Sequence, residues 1–377
     1  MAETGRAAVY VGKRKPFELR EYPVPDPKSR DAVLRVSQAN VCGSDLHIWR
    51  GDTDLEALGI GYGIVLGHEL CGRVHKLGSD CRSDALGRTL REGDRVVVTY
   101  YVHCESCRVC LRGMPHACLA SLATPIRSCE APPHFTGGFA DYYYAKARQR
   151  LLKVPDAVPD AVAAGVNCAL SQILYGFERA RLELGERVVV QGAGGLGLFA
   201  CAVAREHGAS KIVAIDGVSA RLAAARRFGA DEVIDVRELA DPRQRVARVM
   251  ELTDGGADVV VEVVGSPEVV PEGIRMLART GRYLEIGNIN PRRTYKADPS
   301  LLVGGNLSIL GVSLYPPYIL DRALDFLLRT QDRYPFAELV SHRYPLARID
   351  AAFEESDVFA RADRPVTRAA ILPEQLA

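Results

Sequence analysis

The sequence predicts an α/β protein in which a mainly β, irregular portion precedes a doubly wound parallel sheet. Three observations predict it. The chain has 377 residues, long for a single hydrophobic core. Residues 1 to about 165 are rich in short strand-like runs, Gly and Pro. Beyond them, apolar runs of strand length alternate with helical stretches.

Composition excludes several classes before any motif is read. Hydrophobic residues make up 47% and charged residues 25%, and Lys+Arg 48 against Asp+Glu 47 leaves a formal charge of +1. No nucleic-acid or membrane partner is expected from that balance. The opening "MAETGRAAVYVGKRKPFELREYPVPDP" has no apolar core of signal-peptide length, and no stretch reaches the roughly 18 uninterrupted apolar residues of a membrane span. A cytoplasmic protein is therefore expected, in which clustered thiols hold metal rather than disulfides.

In the first portion, "HCESCRVCLRGMPHAC" places Cys104, Cys107, Cys110 and Cys118 in a CxxCxxC run with a fourth Cys after seven residues, Gly113 and Pro115 bending the last connection. Four thiolates fill a tetrahedral zinc shell, so this site is expected to brace a loop rather than react. Bacterial ferredoxin runs place their fourth Cys three residues on, followed by Pro, which disfavours an iron–sulfur cluster here. A second, open set is expected from "NVCGSDLHIWRGD", "GHELCGRV" and "AAGVNCALSQILYG". Cys42, His68 and Cys168 would make three ligands and leave a fourth position free. Ser44, Asp45 and His47 crowd after Cys42, and Glu69 adjoins His68, offering a hydroxyl relay, an orienting carboxylate and a terminal base.

The second portion begins with "ERVVVQGAGGLGLFACAVAREHGASKIVAIDG": an apolar strand at Val188 to Val190, a turn through Gly192, Gly194, Gly195, Leu196 and Gly197, an alanine-rich helix, and a second strand ending in Asp216. Between strand and helix, with an acid about 20 residues on, GxGxxG is a dinucleotide fingerprint. Gly192 would make the tight turn, Gly194 admit the pyrophosphate and Gly197 let helix and strand pack closely, while the helix N-terminus offers unpaired amides. Asp216 would accept from both adenosine ribose hydroxyls, which favours NAD over NADP, with Arg221 pairing with Asp216 or lining the ribose. The alternation continues through "DEVIDV", "VARVMELT", "ADVVVEVVG", a helical "VVPEGIRMLART", "GRYLEIGNI" and "LSILGV", giving six strands.

These motifs together resemble the zinc-containing alcohol dehydrogenases of the medium-chain dehydrogenase/reductase superfamily. The resemblance spans nearly the full length and rests on the residues around Cys42, "GHE" at Gly67 to Glu69, "GDRV" at Gly93 to Val96, the four-Cys lobe and "GAGGLG". It implies a GroES-like mainly β catalytic domain (1–168 and 313–377), carrying the structural zinc lobe at about 100–120, and a Rossmann NAD-binding domain (169–312). It further implies two zinc ions per chain, one catalytic on Cys42, His68 and Cys168 with Glu69 as the alternative ligand, and one structural. Asp45 would orient His68, and Ser44 would pass the substrate proton through the nicotinamide ribose to His47. Gly43 departs from the Arg that often follows the first Cys in animal alcohol dehydrogenases.

The activity implied is hydride transfer between an alcohol and NAD, giving a ketone or aldehyde. An NADPH-linked carbonyl or enone reductase of the same superfamily is the alternative, and a non-catalytic zinc-stabilised binding protein a more distant one. Tyr100, Trp49 and Thr53, each either a packing residue or a contact, and the long segments 52–69 and 119–144 are candidates to shape a cavity for a bulky or polyhydroxylated secondary alcohol. A homo-oligomer, dimer or tetramer, is expected through sheet edges near "YLEIGNI" and "LSILGVSLY". Cys71, Cys81, Cys129 and Cys201 belong to no motif.

Overall fold

The computed structural model describes residues 3–57, 59–121, 127–291, 293–357, 366 and 368–373. The chain divides into two compact units, one running through Cys168 and joined by Pro316–Gln331 and the segment from Phe336, the other formed by Ala169–Tyr315 with Asp332–Pro335.

The first unit is built on two sheets. Strands Glu18–Pro23, Thr4–Tyr10 and Ile64–Val65 form a small antiparallel one. The larger has seven strands, in the order His342–Pro345, Ala369–Leu372, Ala32–Asn40, Glu69–Leu77, Arg95–Val98 and Leu151–Lys153, with Tyr142–Ala145 also pairing Ala32–Asn40. Ala32–Asn40, "AVLRVSQAN", is buried at seven of its nine positions, the polar Gln38 and Asn40 included, because it is central in the sheet. Its last residue, Asn40, stands opposite Glu69 on one side and Ala370 on the other. That register brings the chain before Cys42, the chain after His68 and a C-terminal strand to one point.

The second unit holds a six-stranded parallel sheet in the order Glu232–Asp235, Lys211–Asp216, Arg187–Gln191, Ala257–Glu262, Leu277–Glu285 and Ser308–Gly311. This is the strand order of a doubly wound dinucleotide-binding sheet. The valines of Arg187–Gln191 and Ala257–Glu262 are fully buried, as a central parallel pair requires. One expected element changes. The stretch 269–280, read as helical, is helix only over Val270–Arg275, and its tail already belongs to strand Leu277–Glu285. Leu277 pairs with Ala257, and residues 278–281 loop out before Arg282 meets Val259. Gly256 makes the close approach possible: its φ is 122°, and a Cβ there would lie 2.5 Å from the Ala278 amide nitrogen.

No helix among the described residues is long and apolar enough to cross a membrane. In the first unit, the loop after Glu69–Leu77 is pinned by the buried Asp84, which accepts from the backbone amides of Leu86 (3.0 Å), Arg88 (2.9 Å) and Lys153 (3.2 Å) and from Arg88 Nε (2.6 Å). Burial alone would raise its pKa, but the Arg88 side chain and the backbone amides outweigh burial and hold it below the usual aspartate value. Its contribution is therefore complete above the unfolded aspartate range and lost as pH falls through the lower folded value. Asp84→Asn is expected to cost about 1–3 kcal/mol at neutral pH. In urea titrations from pH 7 to 3, that gap should close at the acid end.

Candidate active site

Cys42, His68, Glu69 and Cys168 offer one donor atom each, all within 4.8 Å of one another, and all four residues belong to the first unit. Local structure sets each of them. Cys42 is the N-cap of helix Gly43–Arg50, its backbone amide donating to Asp45 Oδ2 at 2.9 Å. The other Asp45 oxygen accepts from the Gly67 amide at 3.2 Å and lies 3.5 Å from His68 Nδ1. A carboxylate beside Nδ1 leaves Nε2 as the nitrogen that could serve a metal. Gly67 has a φ of 90°, and a Cβ there would lie 2.9 Å from Phe139, so only glycine brings His68 in this tightly. Cys168 lies in a π-helical turn, Val166–Leu170, a widened turn often found at functional sites. Beside it, Asn167 Nδ2 donates to the carbonyls of His68 and Val98, both at 2.9 Å, tying this turn to the His68 strand.

The electrostatics suit a cation. A hydrogen bond with Cys168 and the charge of His68 pull the Cys42 thiol well below its ordinary pKa, and the same interaction lifts Cys168. Burial opposes protonation of His68, but Asp45 and Cys42 outweigh it and raise its pKa. Burial pushes Glu69 up to about 8 although Arg368 is its neighbour. Arg368 Nη1 is 2.6 Å from Glu69 Oε2, with both side chains almost wholly buried, and Asn40 Nδ2 donates to the same oxygen at 3.4 Å. Glu69 Oε1 is buried and has no hydrogen-bond partner, an orphan acceptor facing a thiol–imidazole set. Such a set of soft sulfur and imidazole donors fits zinc, with Glu69 as a further oxygen donor.

Around this centre the expected residues separate. Ser44 Oγ lies 3.4 Å from His68 Nε2. The Tyr100 ring packs 4.8 Å from the His68 ring, and its hydroxyl is 4.0 Å from Cys168 Sγ, so Tyr100 does border the site. Trp49 does not; it is buried in the hydrophobic core with its ring 5.9 Å from Phe353, because it faces inward on the apolar side of its helix. The Thr53 amide donates to the His47 carbonyl at 3.2 Å. Of the two long segments expected to form walls, residues 58 and 122–126 lie outside the described residues.

Cys104, Cys107, Cys110 and Cys118 form the second group, also within 4.8 Å of one another. Cys104 and Cys110 sulfurs are 3.9 Å apart, and those of Cys107 and Cys118 3.8 Å. Tetrahedral bonds of about 2.3 Å require sulfur separations of about 3.8 Å, so the lobe has the dimensions of a filled zinc shell. Backbone amides of Ser106 and Cys107 draw Cys104 down to about 5, favouring the thiolate, while burial lifts Cys110 to about 12. Gly113 at φ 77° and the turn Pro115–Ala117 carry the chain back to Cys118.

In the second unit, strand Arg187–Gln191 turns through Gly192 at φ 95° into helix Gly195–Glu206, capped by Gly194. A Cβ on Gly197 would sit 1.8 Å from the Gly192 carbonyl oxygen, whereas one on Gly194 would meet only Arg221 Nη1, at 3.9 Å. Gly197 thus serves packing, and Gly194 leaves the helix N-terminus, with Leu196 in its first turn, approachable by an anion. Asp216 accepts from the Ala193 amide at 2.7 Å and the Val218 amide at 2.8 Å, and Arg221 Nη1 stands 3.9 Å away.

Sequence reasoning missed Arg368, Asn40 and the Asp52 partner of His47. Arg368 lies 299 residues from Glu69 in a stretch with no motif, and only the sheet register reveals it. Burial already pushes Glu69 up to about 8 beside Arg368, so losing the guanidinium leaves a buried, protonated acid without its partner rather than a bare charge. Arg368→Ala is therefore expected to cost about 1–3 kcal/mol in urea unfolding at neutral pH, and Glu69→Gln combined with Arg368→Met should recover most of it.

Residues 28–156 match the alcohol dehydrogenase GroES-like domain and residues 195–329 the zinc-binding dehydrogenase domain. The 5-exo-hydroxycamphor dehydrogenase of Pseudomonas putida is 35% identical over 93% of this chain and 94% of its own. An erythritol/L-threitol dehydrogenase of Mycolicibacterium smegmatis is 30% identical over 90% of each. An alcohol dehydrogenase structure from Thermotoga maritima superposes with a TM-score of 0.87 at 26% identity, covering 99% of this chain and 100% of that one. With two cysteine-containing donor clusters and a GAGGLG turn in one chain, the protein belongs to the zinc-containing alcohol dehydrogenase family of the medium-chain dehydrogenase/reductase superfamily and is an oxidoreductase using a nicotinamide cofactor.

Proposed function

We propose that this protein is a zinc-dependent, NAD-linked dehydrogenase that interconverts a bulky or polyhydroxylated secondary alcohol and its ketone. The observation that carries the reading is the buried Cys42–His68–Cys168 cluster, with Glu69 held at its side by Arg368. In this reading two zinc ions bind per chain, one at that cluster and one in the lobe of Cys104, Cys107, Cys110 and Cys118. The substrate class draws support from relatives named for a hydroxycamphor and for erythritol and L-threitol.

When bound, zinc supplies the Lewis acidity that makes an alcohol hydroxyl acidic, and NAD supplies the ring that accepts hydride. The chain's own residues do the rest. Asp45 keeps His68 oriented with Nε2 toward the cluster, and Tyr100 forms an aromatic wall beside the His68 ring. Ser44 Oγ is the first acceptor for the proton that the alcohol loses, and His47 is the base beyond it. Arg368 keeps one oxygen of Glu69 occupied, so the carboxylate competes for the metal through Oε1 alone. Asp216, beside the glycine turn, favours ribose hydroxyls and disfavours a 2′-phosphate.

Two measurements test this. Elemental analysis should find about two zinc ions in the wild type and about one in Cys42→Ser, with NAD-dependent alcohol oxidation lost in the variant. One zinc in the wild type, kept with full activity in Cys42→Ser, would sink the reading, and a preference for short primary alcohols would remove the substrate class. Asp216→Asn should raise the ratio of kcat/KM for NADP to that for NAD by about tenfold or more, since it removes a charge facing the phosphate.

A further inference from the structure

Helix Gly43–Arg50 ends in a left-handed turn at Gly51, with φ 80°. The turn folds the chain back on itself: the Asp52 amide donates to the His47 carbonyl at 2.9 Å, and Asp52 Oδ2 reaches His47 Nδ1 at 3.0 Å. Arg50 Nη1 lies 3.6 Å from the same carboxylate oxygen. The Arg50 guanidinium is itself buried and anchored by Nε to the buried Asp357 at 3.0 Å, and Arg14 approaches Asp357 at 3.3 Å. His47 is 9% exposed in its side chain and Asp52 35%, so this carboxylate stands between the imidazole and water.

We propose that Asp52 is the positioning residue of His47, setting which ring nitrogen carries the proton during turnover. This rests on the dehydrogenase reading above. An ionised carboxylate can only accept, so Nδ1 carries the hydrogen and Nε2 keeps the lone pair that takes up the substrate proton. Arg50 approaches the same carboxylate oxygen and helps to hold it in place. The same helix uses this device at both ends: Asp45 in its first turn faces Nδ1 of His68, and Asp52 just past its last turn faces Nδ1 of His47. Asp45 orients a metal ligand; Asp52 orients a base.

The test uses the full-length, zinc-loaded protein with ¹⁵N-labelled histidine, the His47 resonances being those absent from His47→Gln. In the wild type His47 should show a protonated Nδ1 and an unprotonated Nε2. In Asp52→Ala the nitrogen shifts should move toward the opposite tautomer. There kcat for alcohol oxidation should fall about 10- to 100-fold, with zinc content unchanged. Asp52→Glu, which keeps a carboxylate, should recover most of kcat. An unchanged tautomer or an unchanged kcat in Asp52→Ala overturns the assignment while leaving the dehydrogenase reading intact. A wild type inert toward every alcohol with NAD overturns both.

Discussion

The register of strand Ala32–Asn40 is the constraint on which the Cys42–His68–Glu69–Cys168 cluster depends. Asn40 sits between Glu69 and Ala370, so the ladder brings three remote pieces of chain within side-chain reach before any metal is considered. Cys42 follows Asn40 by two residues, His68 precedes Glu69 and Arg368 precedes Ala369. A slip of one residue in this pairing would turn every side chain to the other face and dismantle the donor set. Such a slip is opposed because it would bring the buried Leu34 or Val36 to the position where Arg35 is now exposed.

Carboxylates organise what the register brings together. Asp45 binds a helix start, a glycine amide and a histidine at once, and Glu69 is split between an arginine on one oxygen and an open side on the other. Each spends hydrogen bonds on geometry and leaves one nitrogen or oxygen aimed at the cluster. The lobe of Cys104, Cys107, Cys110 and Cys118 works differently, its short loops and neighbouring backbone amides shaping the thiols.

That contrast explains what the sequence could disclose. The lobe and the GAGGLG turn are local, so their spacing alone told of four converging sulfurs and of a strand-to-helix turn. The assembly of Cys42, His68 and Cys168 was less legible, since no local spacing links three lone residues; it rested on their polar neighbours, and the resemblance added to it. Arg368 and Asn40 were out of reach because they act through a strand pairing between distant segments. For Trp49 the sequence left packing and contact open, and its inward face on the helix decides for packing. The tail of the 269–280 segment was misread because its apolar spacing suits a helix, while the close backbone approach at Gly256 draws Leu277 into the sheet.

The Glu69–Arg368 pair also has a consequence for the order in which the protein is made. Its two members are 299 residues apart, with the whole of the second unit synthesised between them. While the ribosome is still adding that unit, Glu69 has no guanidinium to meet, and the strand that carries it must either stay wet or bury a lone acid. Cys42, His68 and Cys168 thus precede the second unit in the chain while the residue that holds Glu69 follows it, so the cysteine lobe can close on short-range contacts that the Glu69 side of the other cluster lacks.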